Sequence, residues 1–401
     1  MSVPQPWSMY RKNPTLLTFN VSDYVLHGCA ADEEIPLVSV CAFQLHGDYL
    51  NVGHSGQVLY RCWSWFRTMR TAKRQLLELS RPASHWPGLN ARPWQADLIA
   101  SMNATYTRKM PSACVAVWKL RSSATPHDPF LYPGFTEAFF TCPEAAWELA
   151  SAVTKQSPGY RSRAVHLNVR VGILNRLGGK RPWIHSEAFI ALVRREHPEV
   201  SIDEWTMDNL TLAEQVKAIR SHDIIISPHG AQNSNFAFAV PCTVLLELFP
   251  AQYFLPMYLD LAGEVGARTF YMYPGTRERA VRETMAHTAA SFSRQRVLRH
   301  QRVTTPAEEV LGALRTLIRE FRTCVRHGRY LELPQGFDNV PTLGGFQWLS
   351  LNSSHVRGRY SGTDVGATMR STCLFCNATA GCCAQGVTVD LRRVFFCRAC
   401  Y

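Results

Sequence analysis

The segment DIIISPHGAQNSNFAFAVPCTVLLELFP, residues 223–250, decides how this chain folds. It runs Asp-Ile-Ile-Ile, breaks into Ser-Pro-His-Gly-Ala, and turns apolar again through Thr-Val-Leu-Leu-Glu-Leu-Phe-Pro. A short apolar run bounded by turn-formers is the pattern of a strand buried on both faces, and two such runs flanking a short helix make a βαβ unit. The spacing predicts strand, tight turn, short helix and strand, with small and polar residues gathered at the first strand's carboxyl end. In open α/β sheets ligands sit there, and the amides of the next helix's first turn are available to an anion.

Working outward, the same alternation continues on both sides. AVHLNVRVGIL reads as a strand, Ser186 as the cap of a helix through EAFIALVRREH, and VSIDEW as a short strand. Thr211 and Glu214 form a capping box that starts the helix LAEQVKAIRSH. Beyond Pro250, a helix near PMYLDLAGEVG and a strand ARTFYMY follow, and a second box, Thr305 to Glu308, opens the helix VLGALRTLIREF. Strands alternating with helices of this length argue a parallel, doubly wound sheet. Residues 1–157 are richer in Trp, Pro, His and Cys; LVSVCAF and CVAVWKL read as strands, and WSWFRTMRTAKRQLLEL and PEAAWELASAV as helical pieces. The expected organisation is an N-terminal lobe 1–157, a Rossmann-like lobe with its bracing helix over 158–325, and a tail 326–401 with a Cys-rich segment 373–400.

Apolar residues make up 46% of the 401 residues, enough for a sizeable core, which excludes a disordered chain. A net charge of +12 suits an anionic partner without choosing among nucleotide, glycan and nucleic acid. No apolar core stands behind a basic start and no run of about eighteen apolar residues occurs, so neither signal peptide nor membrane anchor is visible; membrane association is expected only through an anchor not present in this sequence. Thirteen cysteines, and Asn-x-Ser/Thr sequons beginning at Asn20, Asn103, Asn209, Asn352 and Asn377, suit an oxidising compartment.

Candidate chemistry concentrates around the decisive segment. His229, Ser234 and Asn235 offer side-chain donors at the turn, and Gly230 and Ala231 let a backbone come close to a phosphate. An isolated His-Gly-Ala could equally serve its own turn. Glu247 interrupts an apolar strand and needs a partner, either a ligand hydroxyl near a ribose or base or a neighbouring arginine. In ILNRLGGKR, Arg176 and Arg181 flank glycines after the lobe's first strand, a natural clamp for a diphosphate because the guanidinium fork matches phosphate oxygens.

These blocks together resemble glycosyltransferase family 61. The positions that carry the resemblance are Arg176, Arg181, Glu214, Gln215, His229, Gly230, Ala231, Asn235, Glu247 and Pro250, in order over roughly residues 163–250. Gln232 and Asn233-Ser234 stand where the family pattern has Gly and Leu-Thr. The resemblance implies two Rossmann-like lobes of the GT-B type. It also implies inverting transfer of N-acetylglucosamine or a pentose such as xylose from a UDP-sugar to a glycan or glycoprotein, in the Golgi or endoplasmic reticulum lumen. No cofactor is expected for catalysis: the chain has no Asp-x-Asp or Glu-x-Asp triplet, and the arginines and helix dipole would neutralise the leaving diphosphate. An inverting transfer needs a base for the acceptor hydroxyl, for which His54, Asp48 and Asp97 are the candidates.

The tail carries Cys373-x-x-Cys376 and Cys397-x-x-Cys400, the spacing of a structural zinc ribbon, although disulfides fit the same cysteines in an oxidising lumen. The rival to an enzyme is a non-catalytic protein whose basic stretch 294–329 and zinc-ribbon-like tail bind nucleic acid or protein. The enzyme reading leads, and no nucleic acid partner is expected.

Overall fold

The computed structural model describes residues 24–27, 38–43, 52–68, 74–79, 93–107, 115–120, 139–140, 143–155, 168–176, 181–251, 253, 258, 261–262, 265–274, 300–327, 346–350, 387–389 and 392–394. The chain divides into two compact units, one of Met1–His127, Leu131–Val153 and Ser354–Tyr401, the other of Asp128–Phe130 and Thr154–Ser353. Among the described residues no helix is long and apolar enough to cross a membrane.

The first unit holds β1 (Tyr24–His27), β2 (Val38–Phe43), α1 (Val52–Thr68), β3 (Arg74–Leu79), α2 (Pro93–Ser101), β4 (Ala104–Thr107), β5 (Val115–Leu120) and α3 (Pro143–Thr154). Its sheet runs β1-β5-β2-β3-β4. Strands β5, β2, β3 and β4 are parallel and β1 is antiparallel at the edge. The chain steps outward from β2 to β3 and β4, then returns to the other side of β2, so the winding reverses between β2 and β5. Val38, Val40, Ala42 and Leu76 form the sheet's apolar cluster. Helix α1 is tied to β2 by the Cys41–Cys62 disulfide and to α3 by the Trp63 indole on the carbonyl of Ala145 (2.6 Å) and the Arg67–Glu148 ion pair. The stretch RQLLEL, whose composition favours helix, is instead the strand β3, paired on both sides. A helix there would leave β2 and β4 without the ladder that joins them, and this tertiary demand overrides a weak local preference.

The second unit holds β6 (Arg170–Leu174), α4 (Ser186–Glu196), β7 (Ser201–Trp205), α5 (Leu212–Ser221), β8 (Ile224–Pro228), a 3-10 helix (Ala231–Phe238), β9 (Val244–Leu248), β10 (Arg268–Pro274), α6 (Ala307–His327) and β11 (Phe346–Ser350). Its sheet order is β11-β10-β9-β8-β6-β7, parallel except for β11. Counted from β6, the parallel strands stand 2-1-3-4-5, a doubly wound arrangement whose switch point lies between the first and third, here β6 and β8. Alternate residues of the central strands, among them Ile224, Ile226, Val244, Leu246, Phe270 and Met272, pack with Phe189 of α4 and Val310, Leu314 and Leu317 of α6 in one core. Their opposite face carries Ser227, Glu247 and Tyr271 in register. A disulfide from Cys242, just before β9, to Cys324 pins α6 to the sheet. Within the tail, β12 (Val387–Val389) and β13 (Arg392–Val394) make an antiparallel hairpin.

Helix starts follow the sequence in one case and depart from it in two. The Thr211–Glu214 capping box forms in both directions. Helix α4 begins at Ser186 with His185 as its cap and no side-chain capping bond, because the Ser186 hydroxyl accepts from Asn175 instead. At α6 the Thr305 hydroxyl is buried without a hydrogen-bond partner among the described residues, while its carbonyl accepts the Trp183 indole (2.7 Å). The helix after β8 is a 3-10 helix.

Candidate anion site at the strand switch point

The carboxyl ends of β6 and β8 meet where the winding reverses, and each delivers part of the site. From β6 comes Asn175, which is buried. Its oxygen accepts from the backbone amides of Arg176 and Trp183 (both 2.9 Å), and its amide donates to the Trp183 carbonyl (3.1 Å), Ser186 Oγ (3.1 Å) and Glu204 Oε1 (2.6 Å). One side chain thus closes the connection from β6 to α4 and sets where Arg176 and Arg181 leave the backbone. Arg181 sits in the left-handed region, φ 63°, costing a residue with a Cβ about 1–2 kcal/mol. That conformation turns its guanidinium inward: Nε donates to the His229 carbonyl (2.9 Å), and the group lies 5.0 Å from the Tyr253 ring centroid.

From β8 comes the turn Pro228-His229-Gly230. The His229 amide continues the ladder onto the Leu248 carbonyl (2.9 Å), and the 3-10 helix begins at once. Gly230 has an extended backbone, so its lack of a side chain matters for space alone: a Cβ there would collide with the Arg176 guanidinium and with Gln232 Oε1. The room expected for an approaching phosphate is therefore where Arg176 packs onto the turn. Gln232 folds back with its amide on the Pro228 carbonyl (2.9 Å).

Two guanidiniums in one partly dry place repel. Burial, reinforced by the charge of Arg181, holds the Arg176 guanidinium down at about 10, against weaker support from Tyr258, Asp208 and Tyr253. Tyr258 is buried, and burial together with Tyr253 and Glu247 pushes its phenol up, so it stays neutral. Nη1 of Arg176 and Nη1 of Arg181 are both buried and make no hydrogen bond among the described residues. Buried donors of fixed charge without acceptors are costly and mark a seat for an anion with several oxygens.

Beneath the arginines lies a closed polar network. The Glu247 carboxylate, 0% exposed, accepts at Oε1 from His229 Nδ1 (2.8 Å) and Asn233 Nδ2 (2.8 Å), and Asn233 Oδ1 accepts from the Ser227 hydroxyl (2.6 Å). The His229 ring stacks on Phe249 (5.0 Å) and is flanked by Tyr253 and Tyr258.

The structure thus brings Arg176, Arg181, His229, Gly230 and Glu247 together, with Ala231 at the head of the 3-10 helix. Ser234 and Asn235 face inward: the Ser234 hydroxyl donates to the Ala231 carbonyl (2.8 Å), and the Asn235 amide donates to Gln215 Oε1 (3.0 Å) and the Gln232 carbonyl (3.2 Å). Asn235 thereby holds the 3-10 helix on α5. His54 stands in the first turn of α1. Asp97 is exposed on α2. Asp48 and the tail cysteines Cys373, Cys376, Cys397 and Cys400 lie outside the described residues. Among the described residues no cluster of His, Cys, Asp or Glu is arranged to hold a metal ion. Asn175, Tyr253 and Tyr258 carry no motif of their own; only the strand-end position of Asn175 in Ile-Leu-Asn-Arg hints at its role.

A doubly wound α/β unit with polar groups at its switch point is a Rossmann-like arrangement. The model of the family described as Glycosyltransferase 61 matches residues 59–246, so this stretch is a Glycosyltransferase 61 domain. The reaction class is glycosyl transfer. No curated protein matches the sequence.

Proposed function

We propose that this chain is an inverting glycosyltransferase of the GT-B type that moves a sugar, N-acetylglucosamine or a pentose such as xylose, from a UDP-sugar to a glycan or glycoprotein. The observation that carries this reading is the pair Arg176 and Arg181 at the switch point, each with a buried Nη1 that has no acceptor among the described residues. A diphosphate supplies acceptors of the right number and charge. In the transfer, the acceptor hydroxyl attacks the anomeric carbon from the face opposite the diphosphate, the carbon–oxygen bond to the β-phosphate breaks, and negative charge grows on the departing UDP. Donors already in place stabilise that charge without reorganising. The hydroxyl proton needs a base, for which His54, Asp48 and Asp97 are the candidates. The Cys41–Cys62 and Cys242–Cys324 disulfides support work in an oxidising lumen.

Thermal-shift titration with UDP and a panel of UDP-sugars tests the reading. UDP is expected to raise Tm by several degrees at concentrations far above Kd, and Arg181→Ala is expected to abolish the shift. Folded wild-type protein that no nucleotide stabilises would refute it.

A further inference from the structure

We propose that Glu247 is a positioning residue that acts through His229, rather than a group that touches the ribose or base of the donor; this rests on the donor reading above. Glu247 lies in the middle of the sheet, with β8 and β10 paired on either side and no exposed surface. Its carboxylate leaves the sheet face beneath His229 and Asn233, which cover it. Its Oε1 is already shared by the two side chains that come from the turn and the 3-10 helix, His229 and Asn233.

The chemistry of that pairing fixes the imidazole. A carboxylate only accepts, so Nδ1 of His229 carries its hydrogen toward Glu247, and whatever His229 gives to a ligand leaves from Nε2. Phe249, Tyr253 and Tyr258 hold the ring plane, and Arg181 holds the His229 carbonyl. A flipped Asn233 would turn its Oδ1 onto the Glu247 carboxylate, so its amide orientation is set by Glu247. The carboxylate that interrupts an apolar strand therefore orients a histidine at the edge of the anion seat.

Two measurements test this. Long-range 1H–15N correlation on the ligand-free wild-type protein reads which His229 nitrogen is protonated; Nδ1 is expected to carry hydrogen, and a ring protonated on Nε2 alone would overturn the proposal. Calorimetric UDP titration of the wild type, His229→Gln, Glu247→Gln and the double variant gives the coupling. Glu247→Gln is expected to weaken UDP roughly 10- to 100-fold, the scale of a charge-assisted hydrogen bond. The double variant is expected to bind no more weakly than His229→Gln alone. Losses that multiply, together with a preference for UDP over 2′-deoxy-UDP that vanishes in Glu247→Gln, would assign Glu247 to the ribose and overturn the inference. A wild type with hydrogen on Nδ1 that binds no UDP would sink the donor reading, while the orientation of His229 by Glu247 would stand.

Discussion

Replacing Arg176 by methionine should make the ligand-free protein more stable while destroying its nucleotide binding. The side chain sits against Gly230, its charge disfavoured first by burial and then by Arg181. The drop to about 10 corresponds to about 3 kcal/mol of preference for the neutral form, at ~1.4 kcal/mol per pKa unit. Arg176 is only partly buried, and solvent screening reduces this to about 1–2 kcal/mol. Methionine keeps an unbranched apolar stem over the turn and drops the charge. The sign follows from linkage: the folded-state value lies below the unfolded one, so the cost is fully present below pH 10 and is relieved as pH rises through it. Urea unfolding at pH 7.5 without ligand should therefore place the Arg176→Met midpoint above wild type, with the gap narrowing above pH 10. Saturating UDP should reverse the order, because only the wild type gains from mass action. A ligand-free variant less stable than wild type at pH 7.5 would refute the claim that the seat holds unrelieved positive charge.

Three further outcomes follow from the same geometry. Gly230→Ala should leave Tm nearly unchanged, because its backbone is extended and the obstructing atoms are side-chain ends. By pushing Arg176 off the turn it should weaken UDP about tenfold or more in a calorimetric titration. Cys324→Ser should destabilise the protein by up to about 4.5 kcal/mol, the chain-entropy value for a crosslink spanning 82 residues, seen as a lower urea midpoint that dithiothreitol lowers no further through this bond. Asn175→Ala should cost about 2–4 kcal/mol by leaving the amides of Arg176 and Trp183 without their acceptor, and should also weaken UDP; a variant that loses stability but binds UDP normally would show that Asn175 does not position the arginines.

What the sequence showed and what it hid divide along a physical line. Strands β8 and β9, the turn between them and the Thr211 box were legible because each is set by neighbours within a few residues. The positions of Arg176, Arg181 and His229 just after strand ends were legible too, since that is where polar groups gather in a doubly wound sheet. The departures come from distant partners. Ser186 reads as a cap by spacing, yet its hydroxyl is taken by Asn175 eleven positions earlier. Thr305 reads as a cap as well, yet its carbonyl serves Trp183 across 122 positions. RQLLEL has helical composition and becomes a strand because two other strands need it between them. Glu247 was noticeable as a charge in an apolar run, but its partners His229 and Asn233 lie on an element that the run itself does not reveal.

The site is assembled from arrangements that would be unfavourable alone. Arg181 holds a left-handed backbone, Arg176 and Arg181 repel, and their Nη1 atoms are buried without acceptors. Such a cluster would relax outward unless its surroundings over-determine it. Three ties to different elements do so. Asn175 locks the connection that carries both arginines, the Trp183 indole bonds the chain entering α6, and the Cys242–Cys324 disulfide clamps α6 to the strand bearing Glu247. Helix α6 supports β8 and β9 through the core it shares with them. Stability held in that frame offsets the cost of the seat, and a ligand with paired phosphates returns part of it on binding. The most strained residue described in the unit's site, Arg181, is thus also the one whose loss should matter most to the donor and least to the core.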